Sequence, residues 1–335
     1  MITMNIDGRQ PLLGVLQGGT DGAWVEYSSL GKDVSEQIEQ AFEPYAQIQI
    51  YAKQLMPDHL HFVVWVKEAI PVTIGEIIRK MKIGCTHAYQ DYLRMNAQST
   101  DAISKQHMNA RSTDDVGSIN DLRIHAQQPS LFEPGFHDRV LLHAGQLRSM
   151  INYVHDNPRR AAIKRAHPEL FKLRHEQQVA GLGCTILGNC FLPDDPMKEV
   201  LQCSRSLTQT DIDRLKNECL QHAARGVVYV SAGISEGEKQ ICKALREAGF
   251  PLIILLSKGF PASGSPHARY YKPQGVYFET CAAGKLLLIE PSDELYEAPT
   301  VEAEVYQKTG IRDLPHTSLR YRFLALNAMV RRICR

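Results

Sequence analysis

The stretch "MPDHLHFVVWV", residues 56–66, sets His59 and His61 one residue apart at the mouth of an apolar run. On a β-strand, residues i and i+2 project from one face, so these imidazoles stand side by side while Leu60 and Phe62 point the other way. Two imidazoles on one face make half a metal site; the same pattern also suits a pair of partly buried histidines satisfied by hydrogen bonds. A second segment bears on the choice. In "INYVHDNPRR" Tyr153 and Asn157 are spaced i, i+4 and so share one helix face, with Arg159, Arg160, Lys164 and Arg165 just beyond. Taken singly, Tyr153 reads as an amphipathic core residue and Asn157 as a helix-end residue. Together with the histidines they fit one reaction: a cation polarises a phosphodiester, a tyrosine attacks it, and basic residues hold the strand.

The elements that must position these groups are legible around them. "YAQIQIYAKQLM" alternates and is rich in β-formers, and "HLHFVVWVK" reads as a strand buried on both faces, with its valines and Trp65 in the core. "TIGEIIRKMKIGCTHAYQDYL" places Ile74, Ile77, Ile78, Met81, Cys85, Ala88 and Tyr92 at helical spacing, with Arg79, Lys80 and Lys82 on the opposite face. "HAGQLRSMINYVHDNP" reads as a helix that Asn157-Pro158 should end or kink. Between the two helices, residues 95–129 are polar and aperiodic, the pattern of an extended or partly disordered insertion, taken here as a linker rather than a DNA-contacting loop. The first half is expected to be α+β, an antiparallel sheet backed by helices.

Bulk composition constrains less. At 335 residues the chain is long for one domain, and 44% hydrophobic with 22% charged residues is ordinary for a folded protein. The net charge of +1 means that a nucleic-acid partner would be held by local basic patches, not by an overall field. The eight cysteines contain no C-x-x-C pair, which speaks against a zinc ribbon or redox pair and for reduced thiols. No apolar run is long enough to span a membrane, and "MITMNIDGRQPLL" has no signal-peptide pattern, so the expectation is a cytoplasmic protein without a membrane partner.

Three ordered motifs, "QLMPDHLHFVVWV", "SLFEPGFHDRVL" and "LRSMINYVHDNPRRAAIKR", resemble the H-x-H strand, the aromatic-Gly-Phe/His-Asp-Arg segment and the Tyr-helix-Asn-Pro ending of the REP-associated branch of the single-tyrosine HUH transposases. The resemblance covers roughly residues 10–172. It implies a ferredoxin-like domain that binds single-stranded or hairpin DNA. It implies Tyr153 as nucleophile, leaving a 5′-phosphotyrosine and a free 3′-OH, and a divalent metal held by His59, His61 and Asn157. His155 falls where the motif varies and ranks below Asn157. Mn²⁺ and Mg²⁺ both accept imidazole, amide oxygen and water, and two histidines favour Mn²⁺. A protonated phenol is a weak nucleophile, so such a site must help remove its proton. Lys82, Arg139, Arg159, Arg160 and Lys164 are the expected DNA contacts. His137, Asp138 and Arg139 also read as a structural turn. The family often has a hydrophobic residue after Asn-Pro; here Arg159 follows, either as a phosphate contact or as a solvated helix end. Whether the tyrosine acts in cis or across a homodimer stays open.

The second half has another rhythm. "CTILGN", "VVYVSAGIS", "PLIILLSKG" and "KLLLIEP" read as strands; "TQTDIDRLKNECLQHAARG" and "EGEKQICKALREAG" read as helices, the first with a capping box from Thr208 and Asp211. This alternation suggests a parallel sheet covered by helices, an α/β Rossmann-like domain over residues 183–335 ending in a C-terminal helix, after an HUH domain over 1–172 and a linker over 173–182. Ser231, Gly233, Ser235 and Gly237 lie between strand and helix, where backbone N–H groups could cradle a phosphate or simply cap the helix. The run over residues 183–292 is similar to the superfamily shared by DNA-processing protein A and the LOG nucleotide-handling proteins, which implies single-stranded DNA or a nucleotide as its ligand. The P-G-G-x-G-T motif of the LOG enzymes is absent. Glu279 and Cys281 suit either a ligand or packing, and Arg320, Arg322, Arg331, Arg332 and Arg335 fit the solvent side of a docking helix or a DNA contact. Two rival functions stand beside the transposase reading: a DNA-binding regulator that no longer cuts, and a phosphodiesterase using activated water.

Overall fold

A computed structural model describes residues 1–108, 129–260, 276–311 and 314–335. The chain divides into two compact units, Met1–Ala166 and His167–Arg335. The first contains β1 (Ile2–Asn5), β2 (Gly14–Gly18), β3 (Ala23–Tyr27), α1 (Ser29–Phe42), β4 (Ile48–Met56), β5 (His59–Val66), α2 (Ile74–Met108), β6 (His137–Asp138) and α3 (Gln146–Ala166). Its sheet runs β4-β5-β1-β6, with every neighbouring pair antiparallel, and β2 and β3 form a separate hairpin. The expected α+β class with an antiparallel sheet is what the first unit shows.

The alternation of β5 divides the helices between the two faces of this sheet. Leu60 and Phe62 face α1 and α2, in a core that also takes Leu30, Val34, Ile38 and Phe42 from α1 and Ile77, Ile78, Met81 and Cys85 from α2. The α1 stripe repeats every fourth residue, and Ser28 caps the helix by accepting from Gly31 N–H at 3.0 Å. On the opposite face Ala52 and Val63 pack with Val154 of α3, and Tyr153 lies partly buried against them. Removing a valine of this size from water contributes roughly 1.5 kcal/mol or more, enough to seat α3 on the sheet. Arg165, at the other end of α3, donates to the carbonyls of Leu16 and Gly18 at 3.0 and 2.9 Å and ties the helix to the β2–β3 hairpin.

Three expectations for this unit need correction. Trp65 is 48% exposed rather than in the core, because the end of β5 runs past the helices that cover its middle. The helix bearing Tyr153 does not end at Asn157-Pro158 but continues to Ala166. Proline removes one N–H donor and crowds the preceding turn; the helix runs on through it, and Asn157, just before the proline, donates its Nδ2 to the Tyr153 carbonyl at 2.8 Å. Finally, residues 95–108 of the polar stretch continue α2, and the remainder, through 128, lies outside the described residues.

The second unit contains α4 (Pro168–Phe171), β7 (Arg174–Val179), β8 (Leu182–Gly188), β9 (Lys198–Val200), α5 (Gln209–Ala223), β10 (Val228–Ser231), α6 (Glu236–Glu247), β11 (Leu252–Leu255), α7 (Val276–Ala282), β12 (Leu286–Pro291), α8 (Glu294–Glu297), α9 (Pro299–Thr309) and α10 (Leu319–Ile333). Its mixed sheet runs β7-β8-β12-β11-β10-β9, parallel from β9 to β12 and antiparallel at β12–β8 and β8–β7. Residues 173–182, read as a linker, instead hold edge strand β7, whose exposed Glu and Gln side chains disguise it. "CTILGN" is the antiparallel strand β8; the parallel strand before α5 is β9, only "KEV", too short to show periodicity. One face of the sheet, through Val228, Val230, Ile253, Leu255, Leu287 and Ile289, packs on α10 residues Ala325, Leu326, Met329 and Val330. Tyr321 of the same helix reaches the Tyr296 carbonyl at 2.8 Å, so α10 is a docked helix. Among the described residues no helix is long and apolar enough to cross a membrane. Burial pushes the thiols of Cys85 and Cys242 up to about 12, as expected of reduced, unreactive interior cysteines.

Candidate active site

The face of β5 that carries Val63 also carries His59 and His61. Their rings meet edge to face with centroids 4.9 Å apart, and the Tyr153 ring lies 5.8 Å from that of His61. The imidazoles are sheltered: His61 is 6% exposed, and the His59 side chain is 17% exposed.

Each ring is held through the same nitrogen. His59 Nδ1 lies 2.6 Å from Asp58 Oδ1, and His61 Nδ1 lies 2.8 Å from Thr3 Oγ1. A carboxylate accepts, so His59 carries its proton on Nδ1; in both rings Nε2 is then the nitrogen through which a cation would bind. Burial alone would raise the Asp58 carboxyl, but its hydrogen bond with His59, with Arg9 3.5 Å away, outweighs it and holds the group below the ordinary carboxylate range. Sequence reasoning missed both partners. Asp58 was visible as the neighbour of His59, whereas Thr3 reaches His61 only because β1 pairs with β5 in the register Thr3↔His61.

Asn157 is 9% exposed, on the helix that carries Tyr153. Its Nδ2 is committed to the Tyr153 carbonyl, since a carbonyl needs a donor, and Oδ1 is therefore the atom that could face a cation. His155, on the same helix, is exposed. Among the described residues no three His, Cys, Asp or Glu side chains are grouped to hold a metal. Imidazoles with water and an amide oxygen are a donor set that suits Mn²⁺ and Mg²⁺ better than a closed structural zinc site.

The expected DNA-contacting residues divide. Arg159 and Arg160 both lie by Asp156, which accepts from Arg159 Nε at 2.6 Å and stands 3.9 Å from Arg160 Nη1; the Arg160 guanidinium also lies over the Tyr153 ring. Lys164 follows on the same helix. Arg139 is exposed after β6, its N–H bonded to the Met1 carbonyl at 2.8 Å. Lys82 instead serves the fold, for its ammonium donates to the carbonyls of Glu133 and Gly135, both at 2.6 Å, and fixes the loop that precedes β6. Burial lowers the Lys82 pKa, with Glu133 opposing. Through the register Thr3↔His137, β6 places His137 in the cross-strand row of His61 and Thr3.

In the second unit, the loop of Ser231, Gly233, Ser235 and Gly237 makes several hydrogen bonds within the protein. Glu238, 2% exposed, accepts from Ile234 N–H at 2.7 Å and Cys203 N–H at 3.1 Å, while Ser231 Oγ accepts from Gly233 N–H at 3.1 Å. Ser235 caps α6 by accepting from Glu238 N–H at 3.2 Å. A Cβ at Gly237 would sit 3.2 Å from both Cys203 Cβ and Ile212 Cγ1, so this glycine serves helix packing. Two of the loop's N–H groups are thus engaged from within, Ile234 by the Glu238 carboxylate and Gly233 by the Ser231 hydroxyl. Glu238→Ala is expected to cost about 3 kcal/mol or more, because it strands buried donors worth roughly 1–3 kcal/mol each. Hydrogen exchange at Ile234 and Cys203 should speed up accordingly; unchanged protection at both amides would contradict this assignment. Glu279 and Cys281 belong to α7, and Cys281 donates to the Leu170 carbonyl at 3.0 Å, a packing contact.

No protein-family model matches this chain, and no curated protein sequence matches it. Among solved structures it is similar to one described as the structure of a REP-associated tyrosine transposase bound to a REP hairpin, with 15% identity and a TM-score of 0.28. That alignment covers 47% of this chain and 64% of the other, so the chain spans less than two thirds of that structure's length. The likeness is slight, and the chemistry rests on the side chains of the site.

Proposed function

We propose that the first unit is a metal-dependent DNA nuclease and strand transferase of the single-tyrosine transposase type, acting on single-stranded or hairpin DNA. The observation that carries this reading is the row of three rings, His59, His61 and Tyr153, with centroids 4.9 and 5.8 Å apart on one sheet face. Hydrogen bonds on Nδ1 also suit an ordinary buried histidine pair; the feature that favours this reading is the Tyr153 ring beside His61. The order of elements, β1-α1-β4-β5-α2-β6 with sheet order β4-β5-β1-β6, supports the ferredoxin-like arrangement that the motifs imply.

His59, His61 and Asn157 Oδ1 would hold the cation, which would supply positive charge to a phosphodiester oxygen. Tyr153 Oη attacks the phosphorus, the Tyr–O–P bond forms, and the P–O3′ bond breaks. The phenol proton leaves, and the departing 3′ oxygen is released as a hydroxyl. The covalent phosphotyrosine keeps the energy of the broken phosphodiester, so a second 3′-OH can reverse the step and join strands without a nucleotide cofactor. Since Tyr153 lies beside His61 of its own chain, the geometry favours a tyrosine acting in cis.

For the second unit we propose a Rossmann-like accessory role. Its parallel strands follow one another from β9 to β12 without a reversal of order, so this part of the sheet lacks the switch point at which doubly wound sheets bind ligands. With the N–H groups of Gly233 and Ile234 engaged and the buried carboxylate of Glu238 held in the loop, an anion is disfavoured, and we propose no nucleotide site there.

The test is to incubate the full chain with end-labelled single-stranded hairpin DNA and Mn²⁺ and run a denaturing gel. A covalent protein–DNA band supports the reading. Cleavage without a band points to activated water, and binding without cleavage points to a regulator. Asp58→Asn should weaken Mn²⁺ binding about 10–100-fold, as expected when the anchor of a ligating histidine is lost; an unchanged Mn²⁺ titration would contradict the role of Asp58.

A further inference from the structure

The cation–π contact at Tyr153 points to a residue whose role differs from holding DNA. Arg160 lies seven residues after Tyr153, two turns along the same face of α3, and helical side chains lean toward the N-terminus, which lets it reach back. Its guanidinium carbon is 5.5 Å from the Tyr153 ring centroid, and its side chain is only 12% exposed. An arginine that grips DNA phosphates from a rim is normally open to solvent; this one is folded in over the ring. Asp156 secures it, 3.9 Å from Arg160 Nη1, while Arg159 binds the same carboxylate at 2.6 and 3.1 Å. The Tyr153 ring thus contacts both the His61 ring, at 5.8 Å, and the Arg160 guanidinium.

We propose that Arg160, held by Asp156, is a positioning residue that fixes the Tyr153 ring in its attacking orientation. This rests on the nuclease reading of the site. A half-buried tyrosine without the Arg160 contact has more freedom to turn about its side-chain bonds, and small losses of alignment are costly: a displacement of about 1 Å can lower a rate roughly a hundredfold. A planar guanidinium can lie flat on the ring, which a lysine ammonium cannot reproduce.

The experiment measures single-turnover adduct formation on labelled hairpin DNA with Mn²⁺, across DNA concentrations, for wild type, Arg160→Ala, Arg160→Lys and Asp156→Asn. Arg160→Ala is expected to lower the saturating rate about tenfold or more while half-saturating DNA shifts less than about threefold, the signature of lost alignment rather than lost binding. Arg160→Lys should stay slow although the charge is kept, and Asp156→Asn should slow the reaction in the same sense. A saturating rate within about threefold of wild type in Arg160→Ala, a larger change in half-saturation than in rate, or full recovery by lysine would each overturn the proposal. If Arg160→Ala does not fold by circular dichroism, Arg160→Lys is judged by the same rate and half-saturation criteria. Absence of an adduct in wild type overturns the nuclease reading and this inference with it; a wild-type adduct with an unaltered Arg160→Ala rate overturns the inference alone.

Discussion

Tyr153→Phe is expected to bind hairpin DNA as wild type does and to form no covalent adduct. The substitution removes one oxygen and leaves the ring that packs beside His61 and under Arg160. A change this small in volume keeps the apolar contacts of α3 with Val63 and Ala52, so fold and affinity should persist. The chemistry has no substitute, because the covalent bond is made by that oxygen. The result separates the candidate mechanisms cleanly: activated-water cleavage would survive the change, and a tyrosine mechanism would not. A band of undiminished intensity in Tyr153→Phe would remove Tyr153 from the reaction.

His59→Ala and His61→Ala should each lower metal-dependent cleavage by more than about a hundredfold, beyond what loss of a second-layer anchor does to a metal site. DNA affinity should change far less, since imidazoles on a sheltered sheet face make few phosphate contacts. The two variants are not equivalent in stability. His61 is almost fully buried and bonded to Thr3, so its removal also leaves a cavity and strands the Thr3 hydroxyl. His59 is more open, and its loss leaves Asp58 with Arg9 as a remaining partner at 3.5 Å. His61→Ala should therefore melt lower than His59→Ala. Intact cleavage in both would detach the metal site from these residues.

Much of what positions the site was readable from residue order, and the reasons for the rest are physical. The α2 stripe is legible because its apolar residues recur on one face over several turns, and Ile77, Ile78, Met81 and Cys85 are indeed buried together. The pairing of His59 with His61 on one face follows from strand geometry alone. Thr3 was not legible as a partner of His61, because the contact spans 58 residues and depends on strand order. Nor was Glu238 legible as the acceptor inside the 231–237 loop: in sequence it is one more glutamate in the first turn of α6, where acidic residues are common. Pro158 misled for the opposite reason. Proline normally stops or kinks a helix, but α3 runs on to Ala166, seated on the sheet through Val154 and tied to the β2–β3 hairpin through Arg165. The bond from Asn157 Nδ2 to the Tyr153 carbonyl leaves Oδ1 as the atom of Asn157 that could meet a cation.

The most direct measurement is to digest the wild-type protein–DNA adduct with trypsin and nuclease and locate the nucleotide by mass spectrometry. Cleavage after Arg148 and Arg159 releases the peptide of residues 149–159, "SMINYVHDNPR", in which Tyr153 is the sole tyrosine. A tyrosine mechanism at this site predicts a 5′-phosphonucleotide on that residue. A nucleotide on any other residue, or DNA cut with no modified peptide, would contradict it.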